Sequence, residues 1–315
     1  MKTIDLLTIG DTSIDLFMKV DKDFVDTEKQ EDTTQICFVH GSKVPVESFE
    51  TSIGGNAPHV GFACAKLGMS VEIYTELGDD ANAERVIEDL KKHKIDTKFC
   101  IKNPGTPTNV HAIIVHQSER TIFSYHEKRN YKLYDWATPR WVFYSSLAKG
   151  FDNFQEELVK YLKLNPRIGI AFNPGTQQLR EGRGALKNML GVTDVLFVNR
   201  EEAEMLTKKE ADLEVLHKEL QKLGPKLTVI TEGKKGSSAY DGVTLEKMGI
   251  EQDVRPIVDK TGAGDAYAAG FLAALFYNKP LRTAMRWGTA NSSSVIRDIG
   301  ALKGLMTKEK LENLK

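Results

Sequence analysis

Residues 258–265 read Val258-Asp259-Lys260-Thr261-Gly262-Ala263-Gly264-Asp265, and they open directly onto Ala266, Tyr267, Ala268, Ala269, Gly270, Phe271, Leu272, Ala273, Ala274 and Leu275. That run is apolar on every side, so it predicts a helix enclosed by protein on all its faces, not one lying on the surface with a single apolar stripe. Its first turn carries backbone N–H groups without intrahelical partners and the positive end of the helix dipole. Gly262, Ala263 and Gly264 have little or no side chain, so an anion can approach those amides closely. Asp265 follows in the same turn. Amides that hold a phosphoryl group beside a carboxylate that takes a proton are the two requirements of phosphoryl transfer to a hydroxyl. A tight turn followed by a capping aspartate would read the same way in isolation.

The rest of the chain supplies the layers that such a helix needs. Residues 4–10 predict a buried first strand, followed at its carboxyl end by Gly10-Asp11-Thr12-Ser13-Ile14-Asp15. Ligands of open α/β sheets bind beyond such strand ends, where Asp15 could accept substrate hydroxyls or merely close an Asx-turn. Strand patterns recur at 71–75, 141–144, 168–172, 195–198 and 227–230, alternating with helical periodicity at 83–90, 154–164 and 211–223. Strand–helix–strand alternation implies an α/β fold with a mostly parallel central sheet and helices on both faces. Residues 16–50 lack a helical pattern and hold strand-like pieces at 16–20 and 35–39; 110–116 and 121–125 read as a hairpin. These pieces predict a small β lid, taken as roughly 16–50 and 98–126 of a single domain spanning 1–315.

Further short motifs follow predicted strands. Gly54-Gly55-Asn56 precedes a short helix that ends at Gly68, a pairing that lets backbone amides approach a ligand while Asn56 offers both a donor and an acceptor. Asn199-Arg200-Glu201-Glu202 places Asn199 and Glu202 three apart at a helix start, which suits either a helix cap or a hydrated Mg²⁺. Thr231-Glu232-Gly233-Lys234-Lys235-Gly236 follows the strand at 227–230. The chain contains no Gly-x-x-x-x-Gly-Lys-Ser/Thr loop, and no Gly-x-Gly-x-x-Gly follows the first strand, which weighs against P-loop and dinucleotide-oxidoreductase readings.

With these motifs in this order, the chain resembles the ribokinase-like (PfkB) carbohydrate kinases. The octet resembles their second signature, Asp-Thr-x-Gly-Ala-Gly-Asp, and Gly54-Gly55 resembles their first, with His59 standing where the family usually has asparagine. The resemblance implies a ribokinase-like fold and a phosphotransferase that uses ATP with Mg²⁺, with Asp265 as base and Gly262, Ala263 and Gly264 forming the anion hole. It implies a substrate site of Asp15, Ser13, Gly54, Gly55, Asn56 and Tyr125. It further implies a nucleotide site of Asn199, Thr231, Gly233, Gly236 and Asn291. Glu202 would be associated with Mg²⁺ through water, and Asp259 would be open to a monovalent cation such as K⁺, as in some relatives. The implied acceptor is a small ribose- or fructose-like sugar, with a nucleoside as the alternative, for which Phe17, Phe38, Phe123 and Tyr125 could offer a shelf. A ligand sensor that kept the fold without turnover is a more distant alternative, and a homodimer through the lid is a further implication.

Composition bounds the partners. Lys plus Arg number 43 against 44 for Asp plus Glu, a balance of −1, which gives no electrostatic reason to expect nucleic acid or an anionic membrane. The apolar runs fall short of a bilayer span and no signal-peptide pattern is visible, so a cytoplasmic enzyme is expected. Cys37, Cys64 and Cys100 are odd in number and widely spaced, as reduced thiols are.

Overall fold

A computed structural model describes residues 4–30, 33–117, 119–250 and 255–314. The first part of the chain forms strands β1 (Ile4–Ile9), β2 (Ser13–Val20), β3 (Asp26–Gln30), β4 (Thr33–Cys37) and β5 (Val46–Gly54), then helix α1 (Asn56–Lys66). Next come β6 (Val71–Gly78), α2 (Ala81–Lys92), β7 (Asp96–Asn103), β8 (Asn109–His116) and β9 (Glu119–Tyr125). A regular alternation follows: β10 (Pro139–Tyr144), α3 (Asp152–Leu164), β11 (Gly169–Phe172), α4 (Thr176–Leu190), β12 (Val195–Asn199), α5 (Arg200–Thr207), α6 (Leu213–Lys222) and β13 (Leu227–Thr231). The chain closes with β14 (Ser237–Tyr240), β15 (Leu245–Met248), α7 (Ala263–Phe276), α8 (Leu281–Val295) and α9 (Lys308–Glu312).

Nine strands build the large sheet, in the order β15-β14-β13-β12-β11-β10-β1-β6-β7. The run from β13 to β7 is parallel, and β14 and β15 finish one edge antiparallel. Because side chains alternate across a strand, neighbouring residues enter different cores. Leu6, Ile73, Phe143, Val195 and Val229 pack with residues of α1, α2, α7 and α8. Leu7, Tyr74, Tyr144, Leu196 and Ile230 pack with residues of α3, α4, α5 and α6 on the opposite face. Helices therefore cover both faces, as the alternation predicted. Helix α7 is enclosed as its composition requires: every residue from 266 to 274 is buried.

The lid is a four-stranded sheet of order β5-β2-β8-β9. It differs from the expected segments in two ways. Residues 98–103 belong to β7, which pairs in parallel with β6 in the large sheet. Residues 35–37 of the piece at 35–39 lie in β4, which among the described residues pairs with β3 as a separate two-stranded ribbon. Local alternation marks both as strands, but which sheet a strand joins is set by partners distant in sequence. Cys37, Cys64 and Cys100 are free thiols, the latter two buried.

Candidate active site

The parallel strands of the large sheet aim their carboxyl ends at one cavity of about 210 Å³. Asn173 after β11, Asn199 at the end of β12 and Thr231 at the end of β13 line it together with Asn56, Glu202, Gly262, Ala263, Gly264 and Asp265. This is where an open α/β sheet places a ligand. Gly262 adopts φ 73°, a left-handed conformation, just before the first turn of α7, and a Cβ there would lie 2.3 Å from the Cβ of Ala301. The turn that presents the helix amides therefore requires glycine. By contrast, a Cβ on Gly264 would meet nothing within 4 Å. Its side faces the space an anion would fill.

The Gly54-Gly55 pair meets Asp15 at this end of the lid. A Cβ on Gly54 would come within 2.0 Å of the Asp15 carboxylate, so the missing side chain is what admits the acid. Asp15 is buried, accepts a hydrogen bond from Ser13 Oγ at 3.0 Å and lies 3.0 Å from His111 Nδ1. His59, only 6% exposed, has Nδ1 at 2.9 Å from Asp265 Oδ2 and Nε2 at 2.9 Å from the carbonyl of Ile53. Asn56 Nδ2 donates to Asn173 Oδ1 at 3.1 Å, joining α1 to β11 across the floor. The sequence profile of the pfkB family carbohydrate kinases matches residues 3–308. The chain belongs to the pfkB family.

Two curated relatives span almost the whole kinase. It is 28% identical over 305 residues to a nucleoside kinase of Methanothermobacter thermautotrophicus, covering 94% of this chain and 90% of that protein. It is 26% identical over 285 residues to a ribokinase of Bacillus subtilis, covering 87% and 91%. The crystal structure of a ribokinase from Thermotoga maritima superimposes with a TM-score of 0.80 over 98% of each chain at 21% identity, a likeness of fold. The kinase is thus an ATP-dependent phosphotransferase with the ribokinase-like architecture.

Asn199 and Glu202 form a reciprocal cap on α5, with Asn199 Oδ1 accepting from the Glu202 N–H at 2.9 Å and Glu202 Oε2 from the Asn199 N–H at 2.8 Å. The helix cap and the pair that the resemblance associates with Mg²⁺ are the same residues. Burial raises the Glu202 carboxyl above its ordinary pKa against the opposing Asn199 N–H bond, and the charges of Glu201 and Asp265 push it the same way as burial. Added positive charge would relieve that crowding. Among the described residues no group of three His, Cys, Asp or Glu is placed to hold a metal ion. An ion with an all-protein cage is therefore not what these residues fit; they fit Mg²⁺, which keeps several waters and takes one or two carboxylates plus phosphate oxygens.

Asp259 is engaged differently. Its Oδ1 accepts from the Thr261 N–H at 2.9 Å and from Thr261 Oγ1 at 2.6 Å, while Oδ2 accepts from the Gly300 N–H at 2.9 Å. With Arg120 at 3.4 Å as well, the carboxylate acts as a clamp on this loop.

Thr231, Gly233 and Gly236 line a second cavity of about 110 Å³ with Ala263, Gly264, Tyr267, Thr289, Ser292 and Ser293. It shares Thr231, Ala263, Gly264 and Tyr267 with the first. Asn291, read from sequence as a base contact, is wholly buried: Nδ2 donates to the Ala266 carbonyl at 2.8 Å and Oδ1 accepts from the Met306 N–H at 2.9 Å. It ties α8 to α7 and to the chain beyond, and its neighbours Ser292 and Ser293 face the cavity instead.

Tyr125 is also placed away from the substrate residues. It pairs with Val110, whereas Asp15 and His111 pair with each other and His111 with Ser124, so alternation puts Tyr125 on the opposite face of the lid. It is 49% exposed, and its hydroxyl donates to Glu127 at 2.6 Å. Phe123 shares its parity and is exposed, and Phe38 lies just beyond the separate ribbon. Of the four aromatics considered as a shelf, Phe17 alone lines the neighbouring cavity of about 540 Å³.

Sequence reasoning did not single out Arg120, His111 or His126. Arg120, at the tip of the β8–β9 hairpin, hydrogen-bonds Thr261 and pairs with Asp259, and Glu119 beside it pairs with Lys260 at 2.9 Å. The lid thereby latches onto the octet itself. His126 Nε2 lies 3.3 Å from His111 Nε2, behind Asp15, and burial holds its pKa below the ordinary imidazole value, helped by His111. Only the alternation of the hairpin hinted at the side on which residues 111 and 120 would fall.

Proposed function

We propose that the kinase transfers the γ-phosphoryl group of ATP to a hydroxyl of a small ribose- or fructose-like sugar. The observation that carries this reading is the convergence of Asp265, the open N-terminus of α7 and the Asn199–Glu202 pair on one cavity. Asp15 and Ser13 would hold acceptor hydroxyls at the start of β2, with Asn56 at the start of α1 as a further contact. Asp265 would take the proton of the attacking hydroxyl. A free aspartate, with a pKa of roughly 3.9, is ionised at neutral pH but a weak base. That suffices in a loose transition state, where little charge has left the nucleophile when the phosphoryl group moves. The N–H groups of Ala263, Gly264 and Asp265 would hold the charge on the phosphoryl oxygens. Mg²⁺, held by Glu202 and Asn199 through water, would neutralise charge on the nucleotide phosphates. The latch from Glu119 and Arg120 to the 259–261 loop would keep water, the competing acceptor, out of the closed cleft.

A second reading, phosphorylation of a nucleoside, is favoured by the 540 Å³ cavity walled by Phe17, Val115, Val258 and Ile299 between the lid and the octet loop. It shares Arg120 and Lys260 with the transfer cavity, so a base could lie there while its ribose meets Asp15. The nucleoside kinase relative supports the same reading. An ATP-consumption assay with Mg²⁺ over a panel of sugars and nucleosides separates the two. Turnover confined to free sugars excludes the second reading, and turnover confined to nucleosides excludes the first. Binding without turnover across the panel would leave only the sensor.

The outer face of the lid exposes Phe49, Phe123 and Tyr125, an apolar patch that supports a homodimer formed through the lid. Sedimentation of the purified chain tests it, and a monomer at micromolar concentration would remove it. Buried free thiols at Cys64 and Cys100 suit a reducing compartment, and the cytoplasm is the proposed location.

A further inference from the structure

His59 is fixed at both ring nitrogens. The Ile53 carbonyl can only accept, so Nε2, at 2.9 Å, carries a hydrogen. At the other nitrogen, Nδ1 lies 2.9 Å from Oδ2 of Asp265, a carboxylate oxygen that when ionised also only accepts. A neutral imidazole has one N–H, so one of its two contacts would set a lone pair against an acceptor. A single added proton satisfies every partner: Nε2–H to Ile53, Nδ1–H to an ionised Asp265. These contacts suit the protonated form of the pair.

We propose that the proton leaving the acceptor hydroxyl passes through Asp265 and comes to rest on Nδ1 of His59, so that the base of this kinase is a pair of residues. In this step the hydroxyl O–H bond breaks as its oxygen bonds to the γ-phosphorus, and the bond from that phosphorus to the ADP oxygen breaks. Asp265 accepts the proton on its carboxylate and passes it from Oδ2 to Nδ1. Asp265 returns to the ionised form, and His59 becomes an imidazolium with both N–H groups bonded. His59 does not touch the acceptor; it acts through Asp265. The inference rests on the kinase reading and adds to it where the proton goes.

The surroundings agree. The groups that face His59 are Asp265 from α7 and Asp15 from β2, the latter bound by His111 of β8 with His126 behind it. Glu202 of α5 faces Asp265 in turn. Burial pulls the imidazole pKa down, but the hydrogen bond and charge of Asp265, the Ile53 carbonyl and the charge of Asp15 outweigh it, and the net direction is upward from 6.5. The competent form is the unprotonated pair. Turnover should therefore fall as pH drops through a value above the ordinary imidazole range. An asparagine at 59 could still donate to Asp265 but could not take a proton.

The test compares wild type with His59→Asn and His59→Gln, measuring kcat and KM from pH 5 to 9 on an acceptor the wild type phosphorylates. Expected are a loss in kcat of about 10–100-fold above pH 8, at or below the lower end of what a direct general base contributes, as suits a group that acts through Asp265, together with little change in KM and an acid limb displaced to lower pH. A substituted enzyme that keeps the wild-type limb, with kcat within about twofold, would overturn the proposal. Should both substitutions prevent folding, the His59 ring nitrogens can be followed by ¹⁵N NMR in wild type and Asp265→Asn. A midpoint above 6.5 that falls in the variant supports the pair; a midpoint unchanged by Asp265→Asn removes it. Absence of wild-type turnover over the whole panel would instead fail the kinase reading, a result distinct from either.

Discussion

Helix α7 and the β8–β9 hairpin both end at the transfer cavity, yet they are held there by different forces. The α7 tip belongs to a buried layer: its residues pack in the same core as α1 and α8, and its leading turn abuts Ala301. Strand β9 of the hairpin is exposed throughout and reaches the same loop through side-chain contacts of Arg120 and Glu119. Close packing fixes position to a fraction of an ångström and tolerates little change, whereas exposed ion pairs are each worth about 0–1 kcal/mol and come apart readily. The floor is thus suited to holding charge still during transfer, and the lid to opening and closing over it.

The sharpest way to break this comparison is at the acid. Asp265→Asn should lower turnover by about 10²–10⁴-fold while ATP affinity, read by calorimetry, stays close to wild type. Near-full turnover would remove the role assigned to it.

Beneath the site, Asp11 is buried, takes hydrogen bonds from Tyr131 Oη at 2.8 Å and the Ala148 N–H at 2.8 Å, and has its pKa raised from 3.8 to about 6, chiefly by burial. A carboxyl raised in the folded state adds stability that is full below its unfolded value and is lost as pH rises through about 6. Denaturant midpoints of wild type and Asp11→Asn should therefore diverge between pH 4 and 7.5, the wild type losing about 3 kcal/mol relative to the variant. An unchanged gap would show that Asp11 does not titrate in this window.

Gly262→Ala should cost about 1–3 kcal/mol from overpacking and backbone strain, together with most of the activity. Arg120→Met should leave stability within about 0.5 kcal/mol of wild type and raise the acceptor KM by about tenfold, as expected for an exposed latch. If thermal unfolding shows Arg120→Met to be as damaging as Gly262→Ala, floor and lid are one packed unit and the contrast fails.

Much of the floor was legible because its physics is local. A run of small and apolar residues specifies an enclosed helix, Gly262 to Gly264 a tight turn, and Asn199 with Glu202 a cap, each within a few residues of chain. The strand alternation also gave the parallel sheet and the helices on its two faces. The misplacements came where a distant partner decided. Asn291 reads as a polar residue near a nucleotide, but the Ala266 carbonyl and Met306 N–H consume its amide. Tyr125 reads as a substrate contact, but the register of β8 with β9 turns it outward. Residues 98–103 read as lid, but pairing with β6 draws them into the large sheet.

The sequence by itself determined the helix, the turn before it, the acid within it and the order of the strands, because those depend on neighbours in the chain. The tertiary structure alone decided that His59 meets Asp265 and that Arg120 meets Asp259, contacts separated by 206 and 139 positions. Such meetings depend on sheet register and layer packing, which no short stretch of residues encodes.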